Sequence, residues 1–81
     1  MFYTDAMKTA VKSLNHYCPP GFSIKILQNE NFLTVVASEK TFMRLLDEDK
    51  RRAVEYMSKV KSALEYNGAI VLLVREGGKD L

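Results

Sequence analysis

The fold is decided by residues 66–74, which read YNGAIVLLV. Asn67 and Gly68 are typical of the end of a helix, because glycine readily adopts the left-handed backbone that closes one. The six apolar residues that follow, Ala69–Val74, predict a strand. Apolar residues on both faces are typical of a strand that is buried on both sides. A helix that leads directly into such a strand indicates a mixed helix and sheet fold.

Two more strands are predicted upstream of this stretch. Phe22–Leu27 alternates apolar residues with Ser23 and Lys25, as a strand with one wet face does. Phe32–Ala37 is rich in β-branched residues, which favour strands. The polar residues 28–31 between them have the length of a hairpin connection, so the two strands are expected to pair.

Helical periodicity fills the rest of the chain. Thr4–Tyr17 carries an apolar stripe at three- and four-residue steps, with Thr4 or Asp5 as its N-cap and a Pro-Pro-Gly stop after it. Ser38–Tyr66 is also helical in pattern, with Ser38 as N-cap. A charged run near Asp47 interrupts the apolar stripe of this region. Either the region forms two helices, the second capped by Asp47, or it forms one long helix with a solvated middle turn. Buried residues expected in its second half are Met57, Val60 and Leu64.

The predicted fold class is therefore α+β with the order α-β-β-α-α-β. The expected architecture is a small three-stranded sheet with helices packed on one face. A chain of 81 residues holds one domain. We expect a single compact domain over residues 1–76 and a flexible C-terminal tail over residues 77–81, which are rich in glycine and charge.

Composition points to a soluble protein of the cytoplasm. The net charge is +2, a smaller basic excess than electrostatic nucleic-acid binders usually carry. Cys18 is the only cysteine, so no disulfide can form within the chain, which favours a reducing compartment. The N-terminus lacks the basic and apolar regions of a signal peptide. The longest apolar run has six residues, too few to cross a membrane.

No residue pattern predicts an enzyme, a metal site or a cofactor. His16 and Cys18 are the only His and Cys residues, whereas a closed zinc site needs four ligands. Two residues apart on a helix they do not face each other, so His16 is poorly placed to activate Cys18. The acidic run 47–49 lacks the glycine and distal carboxylate of a calcium loop. No glycine-rich phosphate loop precedes a helix.

The order of elements over residues 6–75 resembles the type II KH arrangement, and more closely its BolA-like variant. The BolA family has a phenylalanine shortly after its second strand, then a glycine, then Arg-His-Arg and a valine. Here Phe42 is followed at matching spacing by Lys50, Arg51, Arg52 and Val54. Arg44 stands where that family has a glycine, and Arg51 where it has the histidine associated with iron–sulfur and glutaredoxin partnership. The resemblance therefore implies the fold but not that activity. The GxxG clamp of KH domains is replaced by acidic residues at 47–49.

The expected function is binding, without catalysis. Helices on one face leave the other face of the sheet open. Because the strands have apolar residues on both faces, the open face is expected to be apolar. We expect that open face to meet a protein partner or a second copy in a homodimer, through Thr34, Val36, Val71 and Leu73. The alternative is a nucleic-acid-binding module that uses a basic helical cluster, consisting of Lys40, Arg44, Lys50, Arg51 and Arg52.

Overall fold

The computed structural model describes residues 3–77 and has the predicted α+β class and element order. Residues 78–81, most of the expected tail, lie outside the described residues. The elements are α1 (Asp5–Lys12), β1 (Ile24–Gln28), β2 (Leu33–Ser38), α2 (Glu39–Met43), α3 (Asp47–Tyr66) and β3 (Val71–Glu76).

The first helix starts as predicted and ends early. The hydroxyl of Thr4 accepts a hydrogen bond from the backbone N–H of Met7 at 3.1 Å, which caps α1. The helix ends at Lys12 instead of Tyr17, and a 3-10 turn follows over Asn15–Tyr17. Ser13 is the C-cap, and its hydroxyl donates to the carbonyl of Ala10 at 2.7 Å. Such short polar side chains compete with helical hydrogen bonding, which accounts for the early end.

The region Ser38–Tyr66 forms two helices, as the first of the two alternatives predicted. The Ser38 hydroxyl accepts from the N–H of Thr41 at 3.3 Å and caps α2. The prediction that Asp47 caps the next helix is wrong: Leu46 occupies the N-cap position and Asp47 is the first helical residue. Acidic residues in the first turn of α3 still interact favourably with the positive end of the helix dipole.

Gly68 closes α3 in the left-handed conformation that the sequence predicts. Its φ is +95°, and the N–H of Ala69 donates back to the carbonyl of Leu64 at 3.1 Å. Because Ala69 still belongs to this helix ending, β3 begins at Val71, two residues later than predicted. It also extends further, to Glu76.

The sheet has the order β1-β2-β3, with β2 in the centre. β1 pairs antiparallel with β2 and sets Ile26 opposite Val35. β3 pairs parallel with β2 and sets Leu73 opposite the same Val35. A parallel neighbour requires a crossover connection, and α2 and α3 supply it.

The hydrophobic core lies between the helices and one face of the sheet. Leu33 and Val35 of β2 are fully buried, as are Val60 and Leu64 of α3. The predicted burial of Val60 and Leu64 is therefore confirmed, while Met57 is only partly buried. The helices thus cover one face of the sheet, as predicted.

Candidate binding surface

The strand register assigns every sheet residue to one of two faces. Leu33, Val35 and Ala37 of β2 face the helices, and all are buried. Because side chains alternate along a strand, their neighbours point to the opposite side. We call this side the open face; it consists of Lys25, Leu27, Thr34, Val36, Leu72, Val74 and Glu76.

The open face is largely apolar and its outer strands are exposed. Leu27 of β1 is 53% exposed and Leu72 of β3 is 47% exposed. The register places them on either side of Thr34, so they form one row across the sheet. Val36 is buried but does not belong to the core cluster between the sheet and the helices. This face is therefore uncovered by the described chain.

One ion pair crosses the open face. Lys25 Nζ of β1 lies 3.9 Å from Glu76 Oε1 of β3, and both side chains are mostly exposed. The register places this pair at the end of the sheet away from Leu27 and Leu72. The open face thus has a charged end and an apolar end.

The four residues predicted for partner binding do not lie on one surface. Thr34 and Val36 are on the open face, whereas Val71 and Leu73 point to the helices. Val71 is only 6% exposed and belongs to the core. The four residues are divided between the two faces because alternation separates a strand into two sets without indicating which set the helices cover. Their role in partner binding stays a prediction.

Within the single chain β3 is not buried on both faces, as its continuous apolar run would suggest. β3 is an edge strand, and all its residues except Val71 are exposed. The N–H of Leu33 donates to the carbonyl of Ile70 at 2.8 Å, so the backbone groups of Ile70 point toward β2. Alternate residues then direct theirs outward. Within residues 3–77 no strand pairs with the outward groups of Val71, Leu73 and Arg75.

A groove of about 360 Å³ runs along this edge on the helix side. Val54, Met57 and Leu73 form part of its apolar lining. Val54 of α3 is 54% exposed. The groove was not predicted; the adjacent apolar residues Ala53 and Val54, which widen the apolar side of α3, were the available signal.

The predicted basic cluster is divided by ion pairs. Lys50 lies 4.0 Å from Asp47, and Arg52 lies 3.2 Å from Asp49. The remaining cations of the cluster are exposed and form no ion pair with any described carboxylate; they are Lys40, Arg44 and Arg51. Fewer basic residues are therefore available to a phosphate than the sequence predicts.

Cys18 and His16 do not form a reactive pair. The thiol of Cys18 is half-buried and donates to the carbonyl of Phe22 at 3.1 Å. Burial raises its pKa above the usual 9.0, with Arg52 opposing the shift. The His16 ring packs against Tyr17 instead, with centroids 4.1 Å apart. Among residues 3–77 no three potential ligands gather in a group that could hold a metal ion.

In comparisons with known proteins, no family model, curated protein or solved structure matches this chain. The resemblance to BolA-like and KH domains therefore stays a prediction. In the described part of the chain, no helix combines the length and apolar composition needed to span a membrane.

Proposed function

We propose that this protein is a non-enzymatic binding module of the cytoplasm that acts through protein contact. The observation that carries the proposal is the exposed apolar surface formed by Leu27 and Leu72 on the open face. Contiguous apolar patches on small proteins usually mark contacts. Burial raises the pKa of the half-buried Cys18 thiol, whereas a nucleophilic cysteine usually has a lowered pKa, and this supports a role without catalysis.

The energetics favour a partner that covers the apolar end of the open face. Full burial of a leucine side chain is worth about 1.5–3 kcal/mol, and roughly half of this remains available at Leu27 and at Leu72. The ion pair between Lys25 and Glu76 borders the apolar end. An apolar centre with a charged border is the common arrangement of protein interfaces.

The experiment compares wild type with a Leu27→Lys, Leu72→Lys variant in affinity capture from cells. Both side chains are exposed, so the variant should remain folded, which circular dichroism can verify. Ser62→Lys, an exposed substitution on α3, is the matched control. Partners that bind wild type and the control but not the double variant support the proposal. If all three proteins capture the same partners, the open face is not the binding surface.

Nucleic-acid binding is the second candidate, supported by the exposed cations Lys40, Arg44 and Arg51. Each of them could meet a phosphate, because none is engaged by a carboxylate of residues 3–77. An Arg44→Ala, Arg51→Ala variant should weaken binding to single-stranded RNA and lower its salt slope by about 1.4. Wild-type binding that persists unchanged at high salt would instead favour apolar protein contact.

A further inference from the structure

We propose that the outer edge of β3 pairs antiparallel with β3 of a second copy, forming a twofold dimer with a continuous six-stranded sheet. The inference rests on the proposed function, in that the chain acts through protein contact, and it places one such contact at the edge of β3 beside the open face. Natural proteins usually protect exposed edges with charges, prolines or bulges. Residues 71–74 carry no charged residue and no proline. The edge is therefore a template for another strand.

The backbone restricts the register of such a pairing. Val71, Leu73 and Arg75 direct their N–H and C=O groups outward. In an antiparallel pair these residues must lie opposite one another, so an odd-numbered residue pairs with an odd-numbered residue. A twofold axis at Leu73 satisfies this condition: Leu73 pairs with Leu73 of the second copy, and Val71 with Arg75 in both directions. This register uses all three outward-facing residues.

The same register matches the side chains on both faces. On the open face it sets Leu72 opposite Val74 of the second copy, twice. On the helix side it sets the two Leu73 side chains opposite each other. An occupant of this edge must be apolar on both faces, and the run 71–74 has that property, whereas β1 alternates. A second β3 therefore fits the edge better than the other outer strand of this chain.

The groove beside β3 supports the same arrangement. A twofold axis perpendicular to the sheet leaves the helices of both copies on one side. The two grooves then meet above the paired Leu73 residues and bring the exposed Val54 side chains toward the interface. Arg75 does not oppose the approach, because its guanidinium lies 3.3 Å from Glu39 in the same copy.

The expected interface is small. One short strand with its flanking side chains covers on the order of 500 Å² per copy, in the lower range of specific interfaces. Interfaces of this size are usually weak, so we expect a dimer that dissociates in the micromolar range.

Sedimentation equilibrium from about 1 µM to about 1 mM tests the inference. Wild type should change from monomer to dimer over this range. Leu73→Lys places a charge at the twofold axis and should weaken the dimer about tenfold or more while the protein stays folded. Ser62→Lys, the exposed substitution on α3, is the matched control and should leave the dimer intact. Leu27→Lys tests the open face as the alternative site of self-association.

Two results would overturn the inference. A wild type that stays monomeric throughout excludes self-pairing, while the proposed function still depends on the capture experiment with the Leu27→Lys, Leu72→Lys variant. A dimer that Leu27→Lys disrupts and Leu73→Lys does not would place self-association on the open face. That second result would support the proposed function and refute edge pairing.

Cross-linking checks the register independently. In a Cys18→Ser background, Leu73→Cys sets two thiols on residues whose Cα atoms are about 5.5 Å apart, within reach of a disulfide. Leu72→Cys is the control, because the two residues 72 are diagonal neighbours whose separation of about 7–8 Å is too long. Oxidation should cross-link the Leu73→Cys variant much faster. Equal rates for both variants would contradict a twofold axis at Leu73.

Discussion

β1 and β3 flank the same central strand, but they end the sheet in different ways. β1 alternates, with Ile24 and Ile26 toward the helices and Lys25 on the open face. β3 carries four apolar residues in succession before its first charge at Arg75. Both strands are edges, but the charge of β1 lies within the strand, at Lys25, whereas the charges of β3 lie at its end, at Arg75 and Glu76.

The difference shows what an unbroken apolar run can mean. Such a run usually indicates a strand covered on both faces. The described chain covers only the start of β3, where Val71 belongs to the core, and leaves the rest exposed. The apolar residues of β3 thus exceed what the chain itself can bury. The excess is consistent with a strand whose cover is supplied by another molecule.

The largest expected effect on stability comes from a substitution in the core-facing side of α3. Leu64→Ala removes a fully buried side chain from α3 and should destabilise the fold by about 2–5 kcal/mol in urea denaturation. Tyr66→Ala, on the same helix but almost fully exposed, should change stability by less than about 0.5 kcal/mol. Similar losses for both variants would mean that α3 does not pack on the sheet through this side.

Substitutions within β3 test the comparison directly. Val71 and Leu73 point to the same face but are 6% and 45% exposed. Val71→Ala should cost about 1–3 kcal/mol, and Leu73→Ala less than about 1 kcal/mol in dilute protein. Thermal or urea unfolding at low concentration measures both. If Leu73→Ala is the more destabilising, α3 covers the outer part of the edge and the comparison fails.

Gly68 controls how α3 turns into β3. A Cβ atom there would meet no other group within 4 Å, so Gly68→Ala should suffer only from the positive φ. The expected loss is about 1 kcal/mol in the free energy of unfolding. Ser62→Ala in α3 is the control and should be neutral or slightly stabilising. An unchanged stability of the Gly68→Ala variant would mean that the turn can adopt another closure.

The smallest stability effect is expected at Lys25. Its ion pair with Glu76 is exposed and long, so Lys25→Ile should change stability by less than about 0.5 kcal/mol. The same substitution gives β1 the apolar character of β3 and should increase self-association in sedimentation experiments. Lys25→Gln removes the charge without adding apolar surface and should increase it less. No increase in either variant would show that Lys25 does not protect this edge.

Local patterns determined much of the molecule. The cap at Ser38 and the left-handed Gly68 follow from short-range chemistry and were predicted, and the cap at Thr4 was one of two predicted alternatives. Strand positions were correct to within about two residues, since alternation and β-branching are also local signals. The early end of α1 was missed because a periodic apolar stripe continues past the polar residues that interrupt the helix.

By itself, the sequence determined the elements, their order, the α+β class and the sorting of strand residues into two alternating sets. Only the tertiary structure decided which set the helices cover, which strand is central and how far α3 extends over β3. Those outcomes depend on pairing between residues distant in the chain and on where a helix comes to rest. Val71 and Leu73 are both apolar and point to the same face, yet Val71 is buried in the core and Leu73 is exposed. The way the helices pack over β3 separates them.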